Sequence, residues 1–216
     1  MVKVTRSMPA PESLAIEKTK ANGSYSKPDV VDRLKRDFYD KCYICELKGL
    51  SDPQIEHLLP HNNGADKDRM FDWNNLFWAC GHCNRVKNQG KYDNGILDCC
   101  MVDPEVRLLF YVDNDSVKIV PTENEDAEAA LTAELLCEVY NLTNTGMRIV
   151  ECAHRVNKLL EQMNRLYKVL NMYRDNPGNK IIMRMLKVML RRDSEFAAFK
   201  RCYVRLNMSD WSEFME

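Results

Sequence analysis

The chain has 216 residues, 45% of them hydrophobic and 29% charged, with a formal net charge of -1. That balance excludes a disordered polyelectrolyte and suffices for one domain with a sizeable subdomain. No apolar run approaches the roughly twenty residues that a helical membrane span requires, so no membrane role is expected.

Residues 1–25, with Pro9, Pro11 and Gly23-Ser24, are expected to form an extended N-terminal arm. They do not read as a secretory leader, so the nine cysteines are expected in a reducing, cytoplasmic setting as metal ligands or free thiols. A helix is predicted from Ser26, a capping hydroxyl, with Pro28 in its first turn and Val30, Val31, Leu34 and Phe38 as its apolar stripe. It leads into Cys42-Tyr43-Ile44-Cys45. Residues 54–58 and 76–79 are strand-length apolar runs, joined by a polar loop over 60–72 that carries Asn62-Asn63-Gly64. Cys80-Gly81-His82-Cys83 follows, and a short helix is expected from there through Lys87 before Gly90.

A hairpin is expected over 108–112 and 117–120, turning at Asn114-Asp115, within an acidic connector at 103–122. From residue 123 the pattern turns helical. Ile149, Ala153, Val156, Leu160, Met163, Tyr167 and Leu170 alternate spacings of four and three, which predicts one long helix over 145–176, closed by Pro177-Gly178. That stripe is expected to pack on two further helices, near 180–191 and 194–207, rather than on a partner or second copy. Charge is segregated: residues 103–138 hold ten acids against Arg107 and Lys118, whereas residues 148–205 hold fourteen bases against five acids. The C-terminal region is the better candidate for touching phosphate, and solvated helix faces are the plainer alternative.

Each Cys-x-x-Cys turn presents two sulfurs to one point, and two such turns complete a tetrahedral zinc shell. A site closed by Cys42, Cys45, Cys80 and Cys83 keeps no open position, so this zinc is expected to be structural. The other five cysteines lack such spacing and are read as reduced thiols.

Taken together, Cys42-x-x-Cys45, Glu56-His57, Pro60, Asn75-Leu76 and Cys80-x-x-Cys83-Asn84-x-x-Lys87 resemble the HNH, or His-Me finger, nucleases over residues 41–91. The resemblance implies an α+β, ββα-metal module at 26–102 with a mainly helical region at 123–216. It implies His57 as general base, Glu56 and Asn84 as ligands of a catalytic Mg2+ or Mn2+, and Asn75 as the residue that orients the histidine loop. Glu56 is one methylene longer than the family's usual aspartate. Residues 38–46, 72–80 and 194–201 are further similar to HNH proteins of prokaryotic anti-phage systems, notably Septu and certain retrons. That likeness implies a defence nuclease working with an ATPase partner, which the helical C-terminal region would contact.

Elementary chemistry fits those roles. A neutral imidazole takes a proton from water near neutral pH, and carboxylate and amide oxygens suit a hard cation. Asn84, at a helix start, is also expected where backbone N–H groups favour an anion. Adjacent strand residues point to opposite faces, so the strand must end or bulge for Glu56 and His57 to converge. A side-chain amide bonding across the loop would hold that irregularity, a task suited to Asn75. Arg85, Lys87, His61 and His82 are weaker candidates for nucleic-acid contacts.

The expected activity is therefore phosphodiester hydrolysis, with DNA the preferred substrate. Two rivals stay open: a non-catalytic zinc module that binds nucleic acid or a partner protein, and a nuclease acting on structured RNA such as tRNA.

Overall fold

The computed structural model describes residues 1–113 and 116–215. Helix α1 spans Glu12–Lys18 and α2 spans Pro28–Asp37. Strand β1, Pro53–His57, pairs antiparallel with β2, Leu76–Cys80, and helix α4, Gly81–Lys87, follows at once; the connecting loop holds a short helix α3, Lys67–Phe71. Helix α5, Pro104–Arg107, leads into a second antiparallel pair, β3 at Leu108–Asp113 and β4 at Ser116–Pro121. Among the described residues four α-helices follow: α6 at Ala127–Asn141, α7 at Gly146–Asp175, α8 at Lys180–Met189 and α9 at Ala197–Asn207. The architecture is α+β with two small antiparallel sheets. None of the described helices is long and apolar enough to cross a membrane.

Several expectations need correction. The N-terminal residues are not an extended arm: they include α1, and Val2, Val4 and Leu14 are buried in the core. Polar anchoring accompanies that burial, since Val4 N–H donates to the Cys99 carbonyl and Arg6 Nη1 to the Leu76 carbonyl. Lys27, not Ser26, precedes the first turn of α2, because the Ser26 hydroxyl bonds instead with that of Ser24. The turn expected at Asn114-Asp115 lies outside the described residues.

Helix α7 has the expected length but a different buried face. Cys152, Val156, Leu159, Met163, Leu166, Leu170 and Tyr173 are buried, whereas Ile149 is 49% exposed and Ala153 faces solvent. Both stripes alternate four and three and share Val156, Met163 and Leu170; burial against α6, α8 and α9 selects the second.

The helical region is not a separate layer, because one apolar core runs through both halves of the chain. Polar contacts reinforce it at the first cysteine turn. Tyr140 of α6 donates its hydroxyl to the Cys45 carbonyl at 2.7 Å, and Lys41 Nζ donates to the carbonyls of Arg192 and Ser194. The Ala198 N–H, at the start of α9, donates to the buried Glu46 carboxylate. Residues 194–201 therefore bond to Lys41 and Glu46, which flank the 42–45 turn.

Candidate metal centre and histidine site

The sulfurs of Cys42, Cys45, Cys80 and Cys83 lie within 4.8 Å of one another, and all four residues are buried. Among the described residues this is the one group of three or more His, Cys, Asp or Glu side chains that could hold a metal ion. A tetrahedral ion with metal–sulfur bonds of about 2.3 Å sets its sulfurs roughly 3.8 Å apart. Cys45 and Cys80 are 4.0 Å apart, so the donors fit structural zinc in both chemistry and span.

Two side chains from the helical region, Arg155 and Glu151, complete the surroundings, and neither was foreseen. Arg155 of α7 is buried and points Nη2 at Cys80 Sγ, 3.2 Å away. The neighbouring sulfurs and the Arg155 charge lower the Cys80 thiol well below its ordinary value, which favours the thiolate that zinc takes. His82, between the last two cysteines, is only 2% exposed. Its Nδ1 meets a Glu151 oxygen and its Nε2 lies 3.0 Å from the Val139 carbonyl. Both ring nitrogens are thus engaged by α6 and α7, so His82 locks the metal turn to the helices and does not face nucleic acid.

Strand β1 pairs with β2 without a bulge, from Pro53 opposite Cys80 to His57 opposite Leu76. Side chains therefore alternate, with Gln54 and Glu56 on one face and His57 on the other. Glu56 is 4% exposed; its Oε1 lies 2.7 Å from Lys87 Nζ, and its Oε2 accepts the Tyr43 hydroxyl. Lys87 is itself 5% exposed and also donates to the His57 and Leu58 carbonyls, each at 3.0 Å. The three donors of its ammonium are filled by the protein, so Lys87 does not reach a nucleic-acid backbone.

Asn84 donates its amide to Gln54 Oε1 at 2.7 Å. Helix α4 begins at Gly81, because the Cys80–Cys83 turn is its first turn, so Asn84 stands inside the helix rather than at its start. A divalent ion on Glu56 would have to displace a buried ammonium and a tyrosine hydroxyl. Glu56 and Asn84, arranged as they are, do not fit the ligand pair that the resemblance implies.

On the opposite face, His57 is half-buried and its Nε2 lies 3.0 Å from the Met70 carbonyl. A carbonyl only accepts, so Nε2 carries the proton and Nδ1 keeps its lone pair. Burial, with His61 and Lys87 nearby, pulls the imidazole down to about 4, so it stays neutral at cellular pH. Asn75 is buried and bonds across the loop in three places. Its Oδ1 accepts the Leu59 N–H at 2.8 Å, and its Nδ2 donates to the Leu59 carbonyl at 2.9 Å and the Arg69 carbonyl at 3.0 Å. It therefore fixes both ends of the loop, including the residue beside the carbonyl that holds His57.

The His57 ring has two aromatic neighbours, His61 with centroids 4.3 Å apart and Tyr25 edge-on at 4.7 Å. Tyr25 was hidden in the segment expected to be an arm, where no local pattern marks it. Arg85 is exposed on the surface of α4 and pairs with Glu151 at 2.6 Å.

No protein-family model matches the chain, and no curated protein is detectably similar to it.

Proposed function

We propose that this protein is an HNH-type endonuclease that hydrolyses phosphodiester bonds of nucleic acid, DNA preferred, on a scaffold braced by structural zinc. The observation that carries this reading is the His57 imidazole, held neutral with Nε2–H on the Met70 carbonyl and Nδ1 left as a base. Water attacks phosphorus as His57 Nδ1 takes its proton; the bond from phosphorus to the 3' oxygen breaks, and that oxygen collects a proton from bulk water. The resemblance adds a catalytic Mg2+ or Mn2+, but the carboxylate assigned to it is paired with Lys87 and does not fit that ion as arranged.

The same likeness suggests a role in bacterial anti-phage defence beside an ATPase partner. Supporting it, the three segments that carry the likeness are linked in space: Lys41 bonds the Ser194 carbonyl, Ala198 N–H bonds the Glu46 carboxylate, and Tyr43 N–H bonds the Trp78 carbonyl. Ile181, Met185 and Val188 form an exposed apolar row on α8, suited to a partner in the helical region.

A non-catalytic zinc module is the second reading, favoured by the complete pairing of Glu56. Incubating the zinc-loaded protein with plasmid and with total RNA separates the two. Cleavage of either supports the nuclease and names its substrate; intact plasmid and RNA at stoichiometric protein, with and without an added ATPase partner, favour the module.

A further inference from the structure

His61 stands beside His57 in the same Nε2–H tautomer but with the opposite nitrogen engaged by the backbone. Gly64 N–H donates to His61 Nδ1 at 2.9 Å, so that nitrogen carries no proton and the ring proton sits on Nε2. The two rings are 4.3 Å apart between centroids and tilted by 55°, and Tyr25 lies edge-on to both, 4.7 Å from His57 and 6.1 Å from His61. The adjacent rings thus carry between them a proton acceptor, His57 Nδ1, and a donor, His61 Nε2–H. The two nitrogens are oriented by separate backbone groups, the Met70 carbonyl and the Gly64 amide, so neither ring depends on the other for its tautomer.

Resting on the proposed phosphodiester hydrolysis, we infer that the scissile phosphate seats on the Tyr25, His57 and His61 face, with His61 Nε2–H donating to a non-bridging phosphate oxygen as negative charge builds there. His61 makes a hydrogen bond and transfers nothing. Loss of its one proton would leave an imidazolate, which the Gly64 N–H alone does not stabilise; the water proton goes to His57 and the 3' oxygen is protonated by solvent. A preformed donor aimed at developing charge is the usual source of such stabilisation in a partly dry site. The arrangement also gives the phosphate a hydrogen-bonding partner on the face where His57 lies, opposite the buried Glu56 and Lys87 pair.

The test combines kinetics and 15N NMR on the full, zinc-loaded chain. His61→Ala should lower kcat by about 100-fold to 1,000-fold with KM changed far less, the range seen on removing one such donor. His61→Gln, which keeps an N–H donor, should restore part of that loss. In the wild type, imidazole 15N shifts should show His61 with its proton on Nε2, and this signal should move when a short DNA duplex or an RNA hairpin is added without divalent ions. The two arms report which nucleic acid seats there. An unchanged kcat in His61→Ala, beside an inactive His57→Ala, overturns the role of His61 and leaves the nuclease reading standing. If the wild type cleaves neither nucleic acid, the nuclease reading fails by itself. The His61 site is then judged by NMR, and an unmoved signal in both arms overturns it.

Discussion

Lys87 Nζ lies 2.7 Å from Glu56 Oε1, both groups are buried, and the same ammonium clasps the carbonyls of His57 and Leu58. The ammonium thus holds the carbonyl of the last residue of β1 and that of the residue after it. Burial raises the Glu56 carboxyl, while Lys87 and the Tyr43 hydroxyl oppose that rise. Removing one partner of a buried pair strands the other charge, so Lys87→Met should destabilise the fold by about 3–5 kcal/mol in urea unfolding. Glu56→Gln combined with Lys87→Met should recover much of that loss. A double variant no more stable than Lys87→Met would show that the pair is not the reason the site holds.

The loop amide supports a second expectation. Asn75→Ala leaves the Leu59 N–H and the Leu59 and Arg69 carbonyls without their partner, and a buried unsatisfied polar group costs about 1–3 kcal/mol. Cleavage should fall further than stability, because Met70 moves with that loop. Asn75→Asp should be worse than alanine if the two carbonyls are held as found, since a carboxylate would face both. Equal activity of the wild type and Asn75→Ala would contradict this.

Metal removal tests the brace. Structural four-thiolate zinc contributes on the order of 10 kcal/mol in small modules. Because His82, Arg155 and Tyr140 tie the cysteine turns to α6 and α7, a strong chelator should cost far-UV helical signal as well as the metal. Helical content that survives complete loss of metal would show that the helices stand without the knuckles.

The pH profile follows from His57. Its folded value of about 4 lies below the ordinary imidazole value of about 6.5, so the lone pair on Nδ1 persists well into acid. The cleavage rate should stay level from neutral pH down to about 5 and fall as His57 takes its proton near 4. Stability moves with the same sign: between about 6.5 and 4 the unfolded chain binds a proton that the folded chain refuses. This contribution is present above 6.5 and declines as pH falls through the folded value. An acid limb centred near 6.5 would place His57 in water rather than against Met70.

Much of the scaffold is legible in the sequence because its signals are local. The doubled Cys-x-x-Cys spacing anticipates the sulfur cluster, the short apolar runs anticipate both hairpins, and the four-and-three pattern anticipates the length of α7. What escapes is relational. Ile149 and Cys152 belong to equally regular stripes, and only the neighbouring helices decide which is buried. Tyr25 meets His57 across a long stretch of chain, and Arg155 reaches Cys80 from a helix that the sequence presents as a basic surface. Glu56 and His57 follow ordinary strand alternation, so the convergence that the motif implies gives way to a buried pair on one face and an imidazole on the other.

The most direct test of the account is nucleic-acid cleavage by His57→Ala, assayed beside the wild type on plasmid and total RNA after zinc content and melting have been matched. The variant should fold, keep its metal and cut neither substrate that the wild type cuts. Cleavage at the wild-type rate by that variant would contradict it, because no base would then be assigned to the attacking water.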